Sequence, residues 1–296
     1  MLSSTVVEWG ALALHGSRAP GREVWIQPGG LTGWEGFSGR DTTSERDMRH
    51  GAFDGPVLAG ARRVMVQGRA SSPEARDEVL AELAETFVLP STPVGSPLAD
   101  LRVTHAGRTL TAPARLLRWS PAATYWGAGF FDWAAEWVCP DPWRYGDPVD
   151  VSTPFARDRS GLRFPLFTDG AGTETGVLTF GDPGDDTGHA AITNDGSADA
   201  WPVFRVAGPV LPAGFEIVTV ETGARLQFVG PVAAGSTLTI RPDLPLVVLD
   251  GSDRMTSMTL RDWAPVPPRS TRTFHFRPLG GDSTAVLSVE LSPTYW

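Results

Sequence analysis

The chain contains no lysine, so all of its basic residues are arginine. Without lysine a protein cannot use a phosphate-binding P-loop lysine, a Schiff-base lysine or a Ser-x-x-Lys acyl-transfer site, which excludes several enzyme classes. The single cysteine, Cys139, excludes an internal disulfide and any metal site built from several thiolates. These absences favour a protein that folds in a reducing compartment and is not an enzyme.

The chain also lacks a surplus of positive charge. Its 25 basic residues are outnumbered by 34 acidic ones, which gives a net charge of −9 at pH 7. A net negative chain without a basic stripe is not expected to bind nucleic acid in a sequence-specific way. Residues 1–9 do not resemble a signal peptide, and no apolar run approaches membrane-spanning length. We therefore expect a soluble protein made in the cytoplasm, with no membrane insertion.

Length and turn residues indicate two domains made of short strands. A chain of 296 residues lies at the size where single cores tend to divide, and its 33 glycines and 26 prolines require many turns. Residues 140–154 are rich in proline and polar side chains, as expected of a boundary between domains. We place the two domains at residues 1–147 and 148–296.

The first half carries the one convincing helix of the chain, at residues 72–89. Ser72 can cap it, Pro73 suits its first turn and Pro90 ends it. Apolar side chains recur at helical spacing along it, at Val79, Leu80, Leu83 and Phe87. Around the helix we expect a strand at residues 63–68 and a hairpin at residues 101–111. Residues 131–139 alternate apolar and acidic side chains, which predicts a half-buried strand.

Residues 27–61 form a loosely patterned, glycine-rich stretch that predicts a long loop or an extended hairpin arm. Stretches of this length inside a compact domain are usually functional or disordered. Regularly spaced aromatic residues alternate there with charges of both signs, which favours a functional surface. Aromatic side chains and arginines are the typical anchors of protein interfaces. We predict contacts between subunits at Trp34, Phe37, Arg40, Arg46, Arg49 and Phe53.

The second half predicts an antiparallel β-sandwich. Apolar-alternating runs recur between turn signals without any helical period. Asp250-Gly251 and Gly280-Gly281 predict tight hairpins, and residues 221–223 predict a weaker one. The predicted strands lie at residues 190–194, 203–206, 215–220, 225–229, 237–240, 246–249, 257–260, 273–276 and 285–291.

Other residue clusters have plainer explanations than a chemical site. The five histidines, at positions 15, 50, 105, 189 and 275, show no metal-ligand spacing. Asp182, Asp185, Asp186 and His189 could surround a calcium ion, but a solvated turn is favoured because their spacing does not match the known calcium loop. For the Asn194-Asp195-Gly196 segment we favour a turn over an ion or sugar contact.

The tryptophans and the cysteine also have plainer explanations than a chemical site. The eleven tryptophans could form a sugar-stacking surface, although core or interface packing is favoured by their positions in alternating strands and beside prolines. Cys139 ends an apolar strand and is expected to be a buried, inert thiol. We assign no catalytic, cofactor or metal site.

The order and spacing of several segments resemble the distal tail proteins of phages with long, non-contractile tails. In the first half these segments are residues 49–55 (Arg-His-Gly-Ala-Phe-Asp-Gly), residues 61–68 (Ala-Arg-Arg-Val-Met-Val-Gln-Gly), the helix, and residues 137–146, which include Cys-Pro-Asp-Pro-Trp-Arg-Tyr-Gly. In the second half they are residues 192–204, 205–209, 225–228 and 263–268. The resemblance extends over nearly the whole chain.

The resemblance implies a mostly β fold: an α+β tube-protein-like domain that builds a ring, followed by a galectin-like β-sandwich. It implies a homo-hexameric ring at the virion tail tip, which joins the tail tube protein to the tail-tip hub protein and other baseplate proteins. DNA would pass through the lumen of such a ring without specific binding. The alternative function is a carbohydrate-binding adsorption module that recognises a glycan of the host cell surface.

Overall fold

The computed structural model describes residues 5–17, 23–85, 97–122, 131–156, 187–281 and 284–296. The chain divides into two compact units. The first contains residues 1–147 together with 294–296, and the second contains residues 148–293. The fold is mostly β, as predicted, with one α-helix in the described part of the chain.

The first unit is a curled antiparallel sheet with a hairpin arm. Its strands are β1 (Val6–Trp9), β2 (Leu12–His15), β3 (Val24–Thr32), β4 (Gly39–Arg40), β5 (Ser44–Glu45), β6 (Ala52–Phe53), β7 (Leu58–Ala59), β8 (Arg62–Ala70), β9 (Ala99–His105), β10 (Arg108–Ala122), β11 (Phe131–Cys139), β12 (Arg144–Tyr145) and, from the end of the chain, β24 (Thr294–Tyr295). The main sheet has the order β2-β1-β9-β10-β11-β8-β3. The end strands β2 and β3 lie against each other, so the sheet curls around a single core.

Helix α1 (Pro73–Glu85) covers this sheet and contacts β8, β10 and β11. The hydroxyl of Ser72 accepts a hydrogen bond from the amide of Ala75 at 3.1 Å, which is the predicted cap. Val79 and Leu83 are buried on its inner face. The helix is confirmed up to Glu85, and Phe87 with the rest of the predicted segment lies outside the described residues.

Strand β11 corrects one prediction. Alternation predicts that its acidic residues face solvent, but Glu136 is only 8% exposed. The Glu136 carboxylate is paired with Arg118 at 2.7 Å and Arg63 at 3.3 Å, from the strands on either side. A carboxylate can be buried when hydrogen-bonded cations compensate its lost hydration. The second half of β11 is therefore buried on both faces.

The second unit is a two-sheet antiparallel β-sandwich, as predicted. Its strands are β13 (Val149–Pro154), β14 (His189–Asn194), β15 (Val203–Ala207), β16 (Phe215–Thr219), β17 (Arg225–Phe228), β18 (Thr237–Arg241), β19 (Leu246–Leu249), β20 (Ser252–Asp253), β21 (Met258–Arg261), β22 (Ser270–Pro278) and β23 (Val286–Leu291). One sheet has the order β13-β23-β15-β18-β19-β20, and the other has β14-β22-β16-β17-β21. Inward side chains of both sheets form one core.

Two predicted hairpins have different outcomes. Asp250-Gly251 joins the paired strands β19 and β20, with positive φ angles of 46° and 85° that suit a tight hairpin turn. Gly280-Gly281 does not join paired strands, because β22 and β23 belong to different sheets. That predicted hairpin is wrong: a Gly-Gly turn signals a local bend and does not determine which strands pair.

No helix in the described part of the chain is long and apolar enough to cross a membrane.

Candidate functional site

The loosely patterned stretch forms an extended hairpin, which we call the arm and define as residues 33–61. Two short ladders run along it, with β4 paired to β7 and β5 paired to β6. The ladders leave residues 46–51 at the tip. Gly55 lies so close to the Thr42 carbonyl that an added Cβ would sit 2.6 Å from its oxygen. This close backbone approach explains why glycine is needed there.

The arm is solvent-exposed along most of its length. Every residue from 35 to 54 is exposed. Phe37 is 56% exposed and Phe53 is 60% exposed. Other large apolar side chains of the arm are also exposed, namely Met48, Val57 and Leu58. An apolar surface of this kind on a single chain marks a site for a partner.

Charges of both signs surround these apolar residues. Arg40, Arg46 and Arg49 are exposed together with Asp41, Glu45 and Asp47. The Arg46 guanidinium carbon lies 5.1 Å from the centre of the Phe53 ring, a cation–π contact. Hydrogen bonds from the side chain and backbone of Thr43 hold the pKa of Asp41 below its ordinary value. The arm therefore presents aromatic rings between fixed charges of both signs.

Trp34 differs from the other five predicted contact residues. It is only 2% exposed and belongs to the core of its own unit. The Arg144 guanidinium carbon lies 5.6 Å from the centre of its ring. Trp34 therefore anchors the arm internally, and its prediction as an intersubunit contact is corrected. Sequence could not separate it from Phe37, because both are isolated aromatics in a glycine-rich stretch.

A buried arginine fixes the root of the arm. Arg62, in β8, is 4% exposed. Its Nη1 donates to the carbonyl oxygens of Trp34 at 2.6 Å and Gly33 at 3.2 Å, and its Nε and Nη2 donate to the carbonyl of Pro142 at 3.0 and 2.8 Å. Burial and the neighbouring Arg144 lower the pKa of Arg62. The guanidinium remains charged, because the ordinary arginine value lies far above neutrality.

A second buried arginine links the root to β24. Arg144 donates from Nη1 to Glu35 Oε2 at 2.9 Å and from Nη2 to the carbonyl oxygen of Trp296. The Trp296 ring lies 5.9 Å from Trp143 and 5.4 Å from Phe37, between ring centres. Sequence reasoning missed both arginines, because neither lies in the stretch that carries the aromatic pattern. A groove of about 460 Å³ lies at the same root, between residues 33–38, residues 60–63 and Pro142.

Asn194 and Cys139 have structural roles. Asn194 is fully buried, and its side-chain amide donates to the carbonyls of Ala198 and Val266 at 2.8 and 2.9 Å. Its Oδ1 accepts from the amide of Gly196 at 2.9 Å, so this segment is the predicted turn. Burial raises the pKa of the Cys139 thiol to about 11, which leaves it protonated and inert.

The histidines show one arrangement that the sequence did not predict. His189 and His275 are directly opposite in β14 and β22, and their rings stack with centres 4.3 Å apart. Among the described residues, no group of three or more His, Cys, Asp or Glu is placed to hold a metal ion. Asp182, Asp185 and Asp186, which could surround a calcium ion together with His189, lie outside the described residues.

The comparisons with known proteins give structural neighbours only. No family model and no curated protein matches the chain. The crystal structure of the SPP1 Dit protein, described as a paradigm of the hub adsorption apparatus in phages that infect Gram-positive bacteria, matches with a TM-score of 0.64 and 12% identity, and covers 99% of both chains. Two structures of the phage P2 baseplate in its activated conformation also match. The structure with calcium has 8% identity, 98% coverage of both chains and a TM-score of 0.47. The structure with strontium has 9% identity, 97% coverage of both chains and a TM-score of 0.44. The chain thus has the fold of the SPP1 Dit protein over essentially its full length, and the resemblance to distal tail proteins is confirmed at the level of the fold.

Proposed function

We propose that this chain is a structural protein of a phage tail tip, which forms a homo-hexameric ring between the tail tube and the tip apparatus. The fold of a phage hub protein supports the class of assembly. The observation that carries self-assembly is the arm, which exposes aromatic rings between charges of both signs. In this proposal the chain is not an enzyme, and its partners are further copies of itself, the tail tube protein, the tail-tip hub protein and other baseplate proteins.

The energetics favour a second copy on the arm. Burying a half-exposed phenylalanine stabilises an interface by roughly 1–2 kcal/mol. Burial of Phe37 and Phe53 therefore contributes to the free energy of association. On an isolated chain both rings stay exposed and contribute no such stabilisation. The flanking charges fix the register of the contact, because a wrong pairing would bring like charges together.

We propose that the first unit, residues 1–147 together with 294–296, builds the ring and that residues 148–293 form an outward sandwich. The sequence places residues 294–296 in the second domain, whereas their strand pairs with β12 of the first unit. An acidic chain repeated around a channel would let DNA pass without adhering, since like charges repel over about 8 Å at physiological salt.

The alternative, a glycan-binding adsorption module, requires indole rings that a sugar can stack on. In the described part of the sandwich both tryptophans, Trp201 and Trp263, are partly buried, and Trp263 packs against the core. No observation there favours the alternative, and we retain the ring.

Sedimentation velocity over a wide concentration range tests the proposal. The unmodified chain is expected to form a species six times the mass of the 31.7 kDa monomer, and electron micrographs should show rings with a central hole. The Phe37→Ala/Phe53→Ala double variant should be monomeric at the same concentrations. Leu244→Ala is the matched control, because Leu244 is similarly exposed but belongs to the second unit. A double variant that assembles as well as the control would refute the role of the arm.

A further inference from the structure

The last strand of the chain returns to the unit that carries the arm. In β24, Thr294 pairs with Tyr145 and Tyr295 pairs with Arg144. Thr294 is buried, and the Arg108 guanidinium carbon lies 4.9 Å from the centre of the Tyr295 ring. This strand is therefore held firmly by β12 and β10, although the preceding 146 residues belong to the other unit.

Trp296 connects this strand to the arm root. Its carbonyl oxygen accepts a hydrogen bond from Arg144, the residue that also pairs with Glu35 at 2.9 Å and lies over Trp34. Its ring packs at 5.4 Å from Phe37, the first exposed aromatic of the arm. Phe37 contacts the Trp296 ring directly, and Trp34 and Glu35 both contact Arg144, which binds Trp296. Three of the first five arm residues are thus linked to residues 294–296.

The same contacts form one apolar patch at the arm root. Phe37 and Val57 are both exposed and both lie near Gly39, where an added Cβ would sit 3.9 Å from the Phe37 side chain and 3.3 Å from that of Val57. Trp296 is 39% exposed, and its ring contact with Phe37 makes it part of this patch. A partner that covers Phe37 would therefore meet Trp296 as well.

We propose that residues 294–296 are a latch, which holds the arm root in the orientation that a second copy of the chain binds. The arm is a long hairpin whose two ladders have only two residue pairs each, so a loose root would let its tip sample many positions. Binding would restrict the arm to one of these positions, which costs conformational entropy. A root that is already fixed in the free chain reduces the entropy that is lost on binding. The choice of a second copy as occupant rests on the proposed function and on the arm's charges, since a surface with three arginines and five acidic residues can form opposite-charge pairs with the same surface of another copy.

Trp296→Ala, with Trp296→Phe as the conservative variant, tests the latch in the full chain. The two ring contacts of Trp296 predict that Trp296→Ala accelerates amide hydrogen exchange in residues 37–40 and 58–60 by about tenfold. Self-association should weaken by a similar factor, whereas Trp296→Phe should restore most of both. Leu244→Ala is the control and should change neither.

The outcomes separate the latch from the proposed function. If Trp296→Ala remains folded and leaves exchange in the arm unchanged, the latch is wrong, even if association weakens, because Trp296 would then act only by touching the partner. If the unmodified chain stays monomeric while Trp296→Ala accelerates arm exchange, residues 294–296 do hold the arm root, but a second copy is not the occupant of the arm and the ring proposal fails.

Discussion

Arg62 donates a 2.6 Å hydrogen bond from Nη1 to the backbone carbonyl of Trp34, in the interior of the first unit. The same guanidinium is bonded to the carbonyl of Pro142, so it joins the arm root to the segment after β11. All of these acceptors are backbone carbonyls, which the guanidinium satisfies in place of water. Arg62 therefore determines where the arm leaves the core.

Replacing Arg62 should destabilise the fold and release the arm root. Arg62→Met keeps much of the side-chain volume but leaves several buried carbonyls without a donor, which costs about 3 kcal/mol of unfolding free energy. Chemical denaturation measures this loss. Arg115→Met is the matched control, because Arg115 is an exposed arginine on a strand of the same unit, and it should cost under about 1 kcal/mol. Equal losses in the two variants would contradict the role given to Arg62.

Gly68 and Trp133 lie opposite each other in β8 and β11, with the indole over the glycine. An added Cβ at Gly68 would overlap the Trp133 ring. Gly68→Ala should therefore lower the unfolding free energy by about 2 kcal/mol. In the Trp133→Phe background the smaller ring leaves room, so the same change should cost clearly less. A double-mutant cycle by denaturation measures this coupling, and strict additivity would show that the two groups do not compete for space.

Glu216 makes the stability of the second unit sensitive to acid. Burial raises the pKa of this carboxyl, but hydrogen bonds from Arg225 and Arg277 outweigh burial, so the pKa lies below its ordinary value of 4.5. The depressed value means that the stabilisation is present above pH 4.5 and is lost as pH falls through the folded-state pKa. Glu216→Gln should lower the unfolding free energy at pH 7 by about 1–2 kcal/mol and flatten its fall below pH 4.5. If the unfolding free energy of Glu216→Gln fell below pH 4.5 as steeply as that of the unmodified chain, this role of Glu216 would be contradicted.

The stacked histidines predict a second pH dependence at higher pH. Burial, with the neighbouring His189 and Arg277, lowers the pKa of His275 below its ordinary value of 6.5. The folded state therefore binds this proton less readily than the unfolded state. The unfolding free energy is therefore unaffected by His275 protonation above pH 6.5, and it declines as the pH falls from 6.5 through the folded-state pKa of His275. His275→Gln should remove this decline, and NMR titration should show a His275 pKa below 6.5.

The strands of the second unit could be predicted because each apolar alternation is bounded by turn residues. The pairing of those strands could be predicted only in part: Asp250-Gly251 joins paired strands as expected, whereas other turns do not. Gly280-Gly281 has the local chemistry of a hairpin, but β22 and β23 lie in different sheets. His189 and His275 are far apart in sequence, and only the register of β14 and β22 brings them together.

The arm itself was predictable from its composition, but the identity of its buried anchor was not. Trp34 and Phe37 have the same local context, but only Trp34 is buried, and Arg62 and Arg144 from distant strands contact it. Glu136 shows the same dependence, because Arg63 and Arg118 on the neighbouring strands determine whether its carboxylate can be buried. Arginines that are distant in sequence therefore determine which of these side chains are buried, and the local sequence pattern does not show this.

The central claim is that the arm docks on another copy of the chain, and photo-crosslinking from its tip tests this most directly. A benzophenone amino acid at position 53 would be activated in an equal mixture of ¹⁴N- and ¹⁵N-labelled chains, and the crosslinked peptides would be analysed by mass spectrometry. The account predicts crosslinked pairs in which one peptide is light and the other heavy, formed at one defined surface. Crosslinks found only between peptides of the same isotope would place the arm against its own chain and contradict the account.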